Sequence, residues 1–169
     1  MTKNKSLNME TMPSPVGELT IVWDDDELYA LEFGDDIPRL QRYLGRHGLM
    51  GVAPPKATAN PVRSKLEKYF DGELQALEGL PVMCFGTDFS RSVWRELRQI
   101  PAGETRSYGE IARNLGRPTA CRAVGAANGR NPIAIVVPCH RVIGQDGTLT
   151  GYAGGLERKQ WLLKHEGAI

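Results

Sequence analysis

A thiol, an imidazole and a guanidinium occupy consecutive positions, Cys139, His140 and Arg141, inside the run IVVPCHRVIG at residues 135–144. The apolar and β-branched residues around them make this run read as a buried strand. On a regular strand, neighbouring side chains point to opposite faces, so thiol and imidazole would not touch. Pro138 cannot donate a ladder hydrogen bond and marks an edge or a break in pairing. If the chain turns there, His140 approaches the thiol directly or through a water. The chemistry is then nucleophilic. Only a thiolate is a strong nucleophile, an ordinary thiol titrates near about 8.5, and an adjacent base with a cationic neighbour such as Arg141 favours the thiolate. The competing reading is an inert buried cysteine, the usual state of a single cysteine in an intracellular protein.

Two short helices precede the run. Ser107-x-x-Glu110 matches a capping box, so Tyr108 opens a helix with Tyr108, Ile111, Ala112 and Leu115 on its buried face, and Gly116 fits its stop. Arg117-Pro118 reads as a turn, Thr119 as the next N-cap, and a second helix runs to about residue 128 or 129. Such a pair resembles a helix-turn-helix. The second helix carries Ala120, Val124 and Ala127 on one face and Arg122, Gly125, Ala126 and Gly129 on another, the latter bare except for the arginine. Glycine costs about 1 kcal/mol in a helix interior relative to alanine, so something offsets it. Either a neighbouring helix packs closely on that face, or a phosphate backbone or narrow groove does, with Arg122 projecting into it.

The chain around these elements has 169 residues, 41% hydrophobic and 24% charged, enough for one large or two small domains with ordinary globular composition. No apolar run approaches the roughly 18 residues of a membrane span, and no apolar segment follows the N-terminal lysines as in a secretory signal. A soluble, cytoplasmic protein with no membrane partner is expected. Net charge is +1, but residues 1–86 hold 9 Lys and Arg against 13 Asp and Glu, whereas residues 87–169 hold 12 against 7, ten of the 12 being arginine. That segregation suggests that the second half meets an anion. The three cysteines, Cys84, Cys121 and Cys139, have irregular spacing, and the three histidines are scattered, so neither a disulfide framework nor a metal site is expected.

The first third reads as a small sheet, ETMPSP and GELTIVWD and then LYALEFG, with Thr20 and Val22 alternating against Ile21 and Trp23. Helices follow in IPRLQRYLGRHG and NPVRSKLEKYFDGE, the second with an apolar stripe of Val62, Leu66, Tyr69 and Phe70. LEGLPVMCFGTDFS reads as a linker, and Val93, Trp94, Leu97 and Ile100 mark a further helix. The fold class is α+β: an N-terminal sheet-plus-helix domain at 1–80, a linker at 81–89, and a mostly helical domain at 90–169 containing the helix-turn-helix.

NPIAIVVPCHRVIG is very similar to the active-site signature of the O6-alkylguanine-DNA alkyltransferases, and RSYGEIA, RAVGAANGRNP and GYAGGLERKQWLLKHEG resemble further elements of that family in the same order. The resemblance is dense from about residue 86 to 167 and loose in the N-terminal third, where it implies a ribonuclease H-like domain. It implies irreversible transfer of an alkyl group from O6-alkylguanine in double-stranded DNA to Cys139, with no cofactor, by a protein acting as a monomer. O4-alkylthymine is a further substrate in prospect. His140 resembles the residue that takes the thiol proton through a water, and Glu166 the one that orients it. Asn131 resembles the residue holding the turn, and Tyr108 the one at the flipped base. Arg122 resembles a finger that fills the place of the extruded nucleotide. Gly125, Ala126, Gly129, Thr119 and Arg141 fall on the implied DNA face. Asn128, Val142, Tyr152 and Ala153 fall on the implied guanine pocket.

Taken singly, Tyr108 also reads as a core residue, Glu166 as a solvated terminal charge and Asn131 as a turn residue. Cys121 stands where the family usually has alanine, and residues 1–83 have no cysteine for the zinc site that some relatives carry. Two other classes compete: a non-catalytic module that flags alkylguanine, against which the intact Cys139 argues, and a Cys-His hydrolase, against which the adjacency of the two residues argues.

Overall fold

The computed structural model describes residues 7–49, 52–53 and 60–169, so residues 1–6, part of the stretch read for a secretory signal, lie outside the described residues. The chain forms two compact units, Met1–Phe85 with Pro132–Ala134, and Gly86–Asn131 with Ile135–Ile169.

The first unit is built on a meander of β1 (Leu7–Met12), β2 (Leu19–Trp23) and β3 (Leu28–Phe33), antiparallel throughout. The acidic tip turns because Asp24 Oδ1 accepts from the amides of Asp26 and Glu27, both at 2.8 Å, the local bonding that makes aspartate a turn residue. A short β4 (Val52–Ala53) adds parallel to β1, giving the order β3-β2-β1-β4. The outer edge of β3 is covered within this unit: Leu28 pairs with Val82, and Leu31 with Ile133. An edge covered in this way offers no template for pairing with another chain.

Helix α1 (Ile37–Arg46) packs on β3, where Leu40 and Leu44 join Leu7, Val22, Tyr29 and Ala30 in one core cluster. Helix α2 (Pro61–Phe70) starts where Asn60 Oδ1 accepts from the amides of Val62 and Arg63, and it packs on β2 with Val62, Leu66 and Tyr69 buried. All residues of β2 and β3 are buried. The alternation of Thr20 and Val22 against Ile21 and Trp23 therefore marks two covered faces, not one wet and one dry.

The second unit is mostly helical. Thr87 caps α3 (Asp88–Leu97) through the Ser90 amide at 3.1 Å, and Val93, Trp94, Leu97 and Ile100 are buried as their spacing predicts. A two-residue strand β5 (Arg106–Ser107) leads into α4 (Tyr108–Asn114), with both bonds of the expected capping box formed. Gly116, at φ 71°, closes α4 in the left-handed conformation that glycine adopts without steric cost. Then come α5 (Cys121–Gly129), one 3₁₀ turn at Cys139–Arg141, β6 (Val142–Ile143) parallel to β5, and α6 (Leu156–His165).

Two local expectations are corrected. Thr119 is not an N-cap: Ala120 takes that position, no side chain caps α5, and Thr119 is exposed. The run at 135–144 is not a strand, except for β6. Ile135 sits at φ 69° in a turn, and the 3₁₀ turn follows Pro138. A left-handed conformation costs a non-glycine residue about 1–2 kcal/mol, so neighbouring bonds must hold this turn. Among the described residues no helix is long and apolar enough to cross a membrane.

Glu32 on β3 is 6% exposed, and its nearest cation is Arg39 Nε at 3.4 Å. Burial pushes its carboxyl from 4.5 up to about 7, against the pull of Arg39. The folded state therefore keeps a proton that the unfolded chain loses above pH 4.5, and the resulting penalty grows to about pH 7 and stays full above it. Glu32→Gln should raise stability at pH 8 by an amount on the order of 1–3 kcal/mol, with the gain vanishing near pH 4.5. Thermal melts of both proteins at the two pH values check this.

Candidate active site

The site lies in the second unit and starts from the 3₁₀ turn. Cys139 is 5% exposed and His140 fully buried. Because the chain turns here, consecutive residues no longer alternate between faces, which removes the objection that a strand raised. Glu166, the residue ending α6, is buried beneath the turn. Its Oε1 lies 2.8 Å from His140 Nε2, and it accepts from Arg141 Nη2 at 2.8 Å and, at Oε2, from Arg141 Nε at 2.9 Å. Arg141 Nη1 donates to the carbonyl of Ile100 at 2.7 Å.

The protonation states follow from these partners. Burial alone would raise the Glu166 carboxyl, but hydrogen bonds from His140 and Arg141 outweigh it and hold the group well below the usual carboxylate range. Burial pushes the His140 imidazole below 6.5, opposed by Glu166 and assisted by the charges of Arg141 and Lys159. At neutral pH the imidazole is therefore neutral and faces a carboxylate, so the proton sits on Nε2 and is donated to Glu166. Nδ1 keeps its lone pair and, among the described residues, is buried without a hydrogen-bond partner, as is Asn128 Oδ1. A buried acceptor without a donor typically costs about 1–3 kcal/mol. Nδ1 is the basic nitrogen of the residue that follows the thiol.

Two asparagines grip the turn. Asn131 Nδ2 donates to the carbonyl of Val137 at 2.7 Å, and Asn128 Nδ2 to the carbonyl of Cys139 at 3.3 Å. Helix α5, which carries Asn128, is anchored from α3 by Trp94 Nε1, which donates to the carbonyl of Ala127 at 2.9 Å. Its inner face buries Val124, Ala127 and Asn128. Arg122, Ala126 and Gly129 are exposed and Gly125 is half-buried. A Cβ at Gly125 would meet only the Tyr108 ring, at 3.9 Å, and one at Gly129 would meet nothing within 4 Å. Close helix packing therefore does not require these glycines, and the bare face is open. Tyr108 stands beside it, its hydroxyl donating to the carbonyl of Thr150 at 3.2 Å. Burial, together with the nearby Cys139 sulfur, raises the phenol above 10 despite the bond to Thr150, so it stays a donor.

Arg141 is a correction. Its sequence position suggested a DNA contact, but it is 9% exposed and its guanidinium is committed to Glu166 and Ile100. Asn128 and Val142 are buried as well, whereas Tyr152 is half-buried and Ala153 exposed.

Two family models match the chain: the DNA binding domain of 6-O-methylguanine DNA methyltransferase over residues 88–168, and its ribonuclease-like domain over residues 7–84. A methylated-DNA–protein-cysteine methyltransferase of Shigella flexneri is 48% identical over 163 residues, 95% of each chain. The chain belongs to the 6-O-methylguanine DNA methyltransferase family. A Mycolicibacterium paratuberculosis protein of the same name is 49% identical over 160 residues, covering 95% of this chain and 92% of that one. The fold also matches the crystal structure of Mycobacterium tuberculosis OGT in complex with DNA, with TM-score 0.83 and 43% identity over 95% of this chain and 93% of that one.

Within this methyltransferase frame, Lys159 is the site residue that sequence reasoning missed. It is fully buried on α6, and its Nζ donates to the carbonyls of Val142 at 2.5 Å, Thr150 at 2.9 Å and Gly151 at 3.4 Å. Burial pushes its ammonium down to about 8, while the Cys139 sulfur pulls it back up. A signal was present. Lys159, Leu162, Leu163 and Glu166 follow i, i+3, i+4, i+7, so two charged residues share the apolar stripe of one helix.

Replacing Glu166 by Gln should leave the Arg141 charge buried without its counter-ion. A loss of about 3 kcal/mol is expected at pH 7, read from denaturant unfolding. Because the Glu166 carboxyl titrates below its ordinary 4.5, its contribution is present above that value and fades as pH falls through the lower folded value, so the gap between the proteins should narrow below about pH 4.

Proposed function

We propose that this chain is a methylated-DNA–protein-cysteine methyltransferase that repairs O6-alkylguanine by moving the alkyl group to its own Cys139. The observation that carries the reading is the buried neutral His140, next in the chain to Cys139, its Nε2–H spent on Glu166 and its Nδ1 left as an acceptor. Nδ1 takes the thiol proton, directly or through a water, and the Glu166 carboxylate stabilises the imidazolium that results. The thiolate attacks the alkyl carbon, the S–C bond forms as the C–O6 bond breaks, and the electron pair leaves with guanine. The Tyr108 phenol is the donor that helps guanine leave as a neutral base. Lys159 ties β6 to the loop at residues 150 and 151 and sets a positive charge near the sulfur.

The target atom is inside a duplex, so the nucleotide is turned out of the stack, at a few kcal/mol for a normal pair and less for a weakened one. The open face of α5 supports minor-groove approach, with Arg122 entering the stack and Thr119, Gly125, Ala126 and Gly129 against the backbone. The exposed arginines of residues 87–169 supply affinity with little sequence preference. Asn131 holds the turn, and the pocket for guanine is assigned to Val142, Tyr152 and Ala153, while Asn128 is buried with its amide on the Cys139 carbonyl. We assign DNA binding and alkyl transfer to residues 90–169, and the protein to the cytoplasm. A lesion-flagging module without chemistry does not need the nucleophile that this chain keeps.

A thioether is a poor leaving group, so each chain should react once. With excess O6-methylguanine DNA, the Cys139 peptide should gain one methyl group and repair should plateau at one base per active chain. Repair continuing linearly past one equivalent, with unmodified Cys139 recovered, would overturn the mechanism.

Arg122→Ala should slow repair in duplex DNA at least tenfold more than reaction with the free base O6-benzylguanine, because a residue that fills the place of an extruded base has no task when the base arrives alone. Equal losses on both substrates would give Arg122 a packing role.

A further inference from the structure

We infer that Asn128 is a positioning residue for the nucleophile, holding Cys139 in register with His140 from the body of α5, and that it serves reactivity and not stability. The inference rests on the alkyl-transfer reading above and adds to it the means by which the helix that faces DNA holds the thiol.

The bonds made by Asn128 cannot be explained by stability. Its amide is 96% removed from solvent, and its one hydrogen bond, from Nδ2 to the carbonyl of Cys139, is long at 3.3 Å. That carbonyl already accepts from the Val142 amide, which closes the 3₁₀ turn, so it would remain satisfied without Asn128. The other amide atom, Oδ1, is buried without a partner. Reversing the amide does not help, because oxygen would then face oxygen at Cys139 and Nδ2 would be the stranded atom. One long bond to a satisfied acceptor does not offset a stranded buried oxygen. A leucine has the same four-heavy-atom branched skeleton and would remove the stranded atom and extend the apolar face that Val124 and Ala127 begin, at the cost of a larger side chain in a buried place.

The geometry does explain a positioning role. The carbonyls of Val137 and Cys139 flank Pro138, and they are gripped by Asn131, two residues past the end of α5, and by Asn128 in its last turn. Val137 also accepts from the Cys139 amide at 2.8 Å. The clamp therefore fixes the peptide groups on both sides of the Cys139 α-carbon, and with them the direction of its side chain. The turn needs such fixing, since Ile135 just upstream is in the left-handed region at φ 69°. Asn131 acts before Pro138. Asn128 is the arm that reaches the nucleophile's own carbonyl.

The test compares the full chain with Asn128→Leu and Asn128→Ala. Three quantities are measured: thermal melting, affinity for unmodified duplex DNA, and the rate of Cys139 alkylation by the free base O6-benzylguanine from pH 6 to 9. Asn128→Leu is expected to melt within a few degrees of the parent, loss of the stranded oxygen offsetting the added volume, and to bind duplex within about twofold. It is expected to react about tenfold more slowly at pH 7.5, with its rate profile moved to higher pH as the thiol loses register with its base. An unchanged rate and profile would overturn the inference. So would a parallel fall of rate and melting temperature in both variants, or failure of both to fold, since either makes Asn128 a structural residue. If the parent itself is not methylated at Cys139 by excess O6-methylguanine in duplex DNA, the alkyl-transfer reading fails instead.

Discussion

The Glu166 carboxylate is the group on which the site depends. It is a buried anion, and such a group is tolerated only when its lone pairs are met by donors of matching geometry. Here the donors are two consecutive residues of one short turn: His140 Nε2 and the forked guanidinium of Arg141. Meeting them fixes the imidazole tautomer and leaves Nδ1 as the free base, and it commits Arg141 to structure. It also requires that α6 end where it does, because Glu166 is the residue that terminates that helix.

A second constraint acts from the other side. The turn that carries Cys139 follows a β-branched residue, Ile135, in a left-handed conformation, and is held by amides of Asn128 in α5 and Asn131 just after it. Helix α5 is in turn tied to α3 by the Trp94 indole. The inner face of α5 is thus spent on holding the turn, and its outer face is left bare. One nine-residue helix meets two demands, close external approach and internal support, because the 3.6-residue period separates Arg122, Gly125 and Gly129 from Val124, Ala127 and Asn128.

Much of this was legible in the sequence. The capping box at Ser107 and Glu110, the stop at Gly116 and the apolar spacing of α3 are local signals, and local signals survive into the fold. The family resemblance in PCHR and its flanks assigned the thiol, the base and the glutamate. What failed was non-local. The 135–144 run has strand composition, but Pro138 and the bonds from two asparagines override propensity. Arg141 looked like surface charge because nothing nearby in sequence says that a carboxylate 25 positions away will bury it. Lys159 was overlooked because a lysine in a charged helical segment ordinarily faces water, and only its place on the Leu162–Leu163 stripe shows otherwise. Thr119 has the right chemistry for a cap one position too early.

The polar atoms left stranded at the site fit a protein used once. An enzyme that turns over must return its site to the starting state, whereas a self-alkylating protein needs the reactive arrangement only until the first encounter. His140 Nδ1 must stay unsatisfied by the protein, because a donor placed there would remove the base. Reactivity before transfer therefore has its origin in a buried imidazole whose one ring nitrogen is committed to a carboxylate and whose other is left as a base.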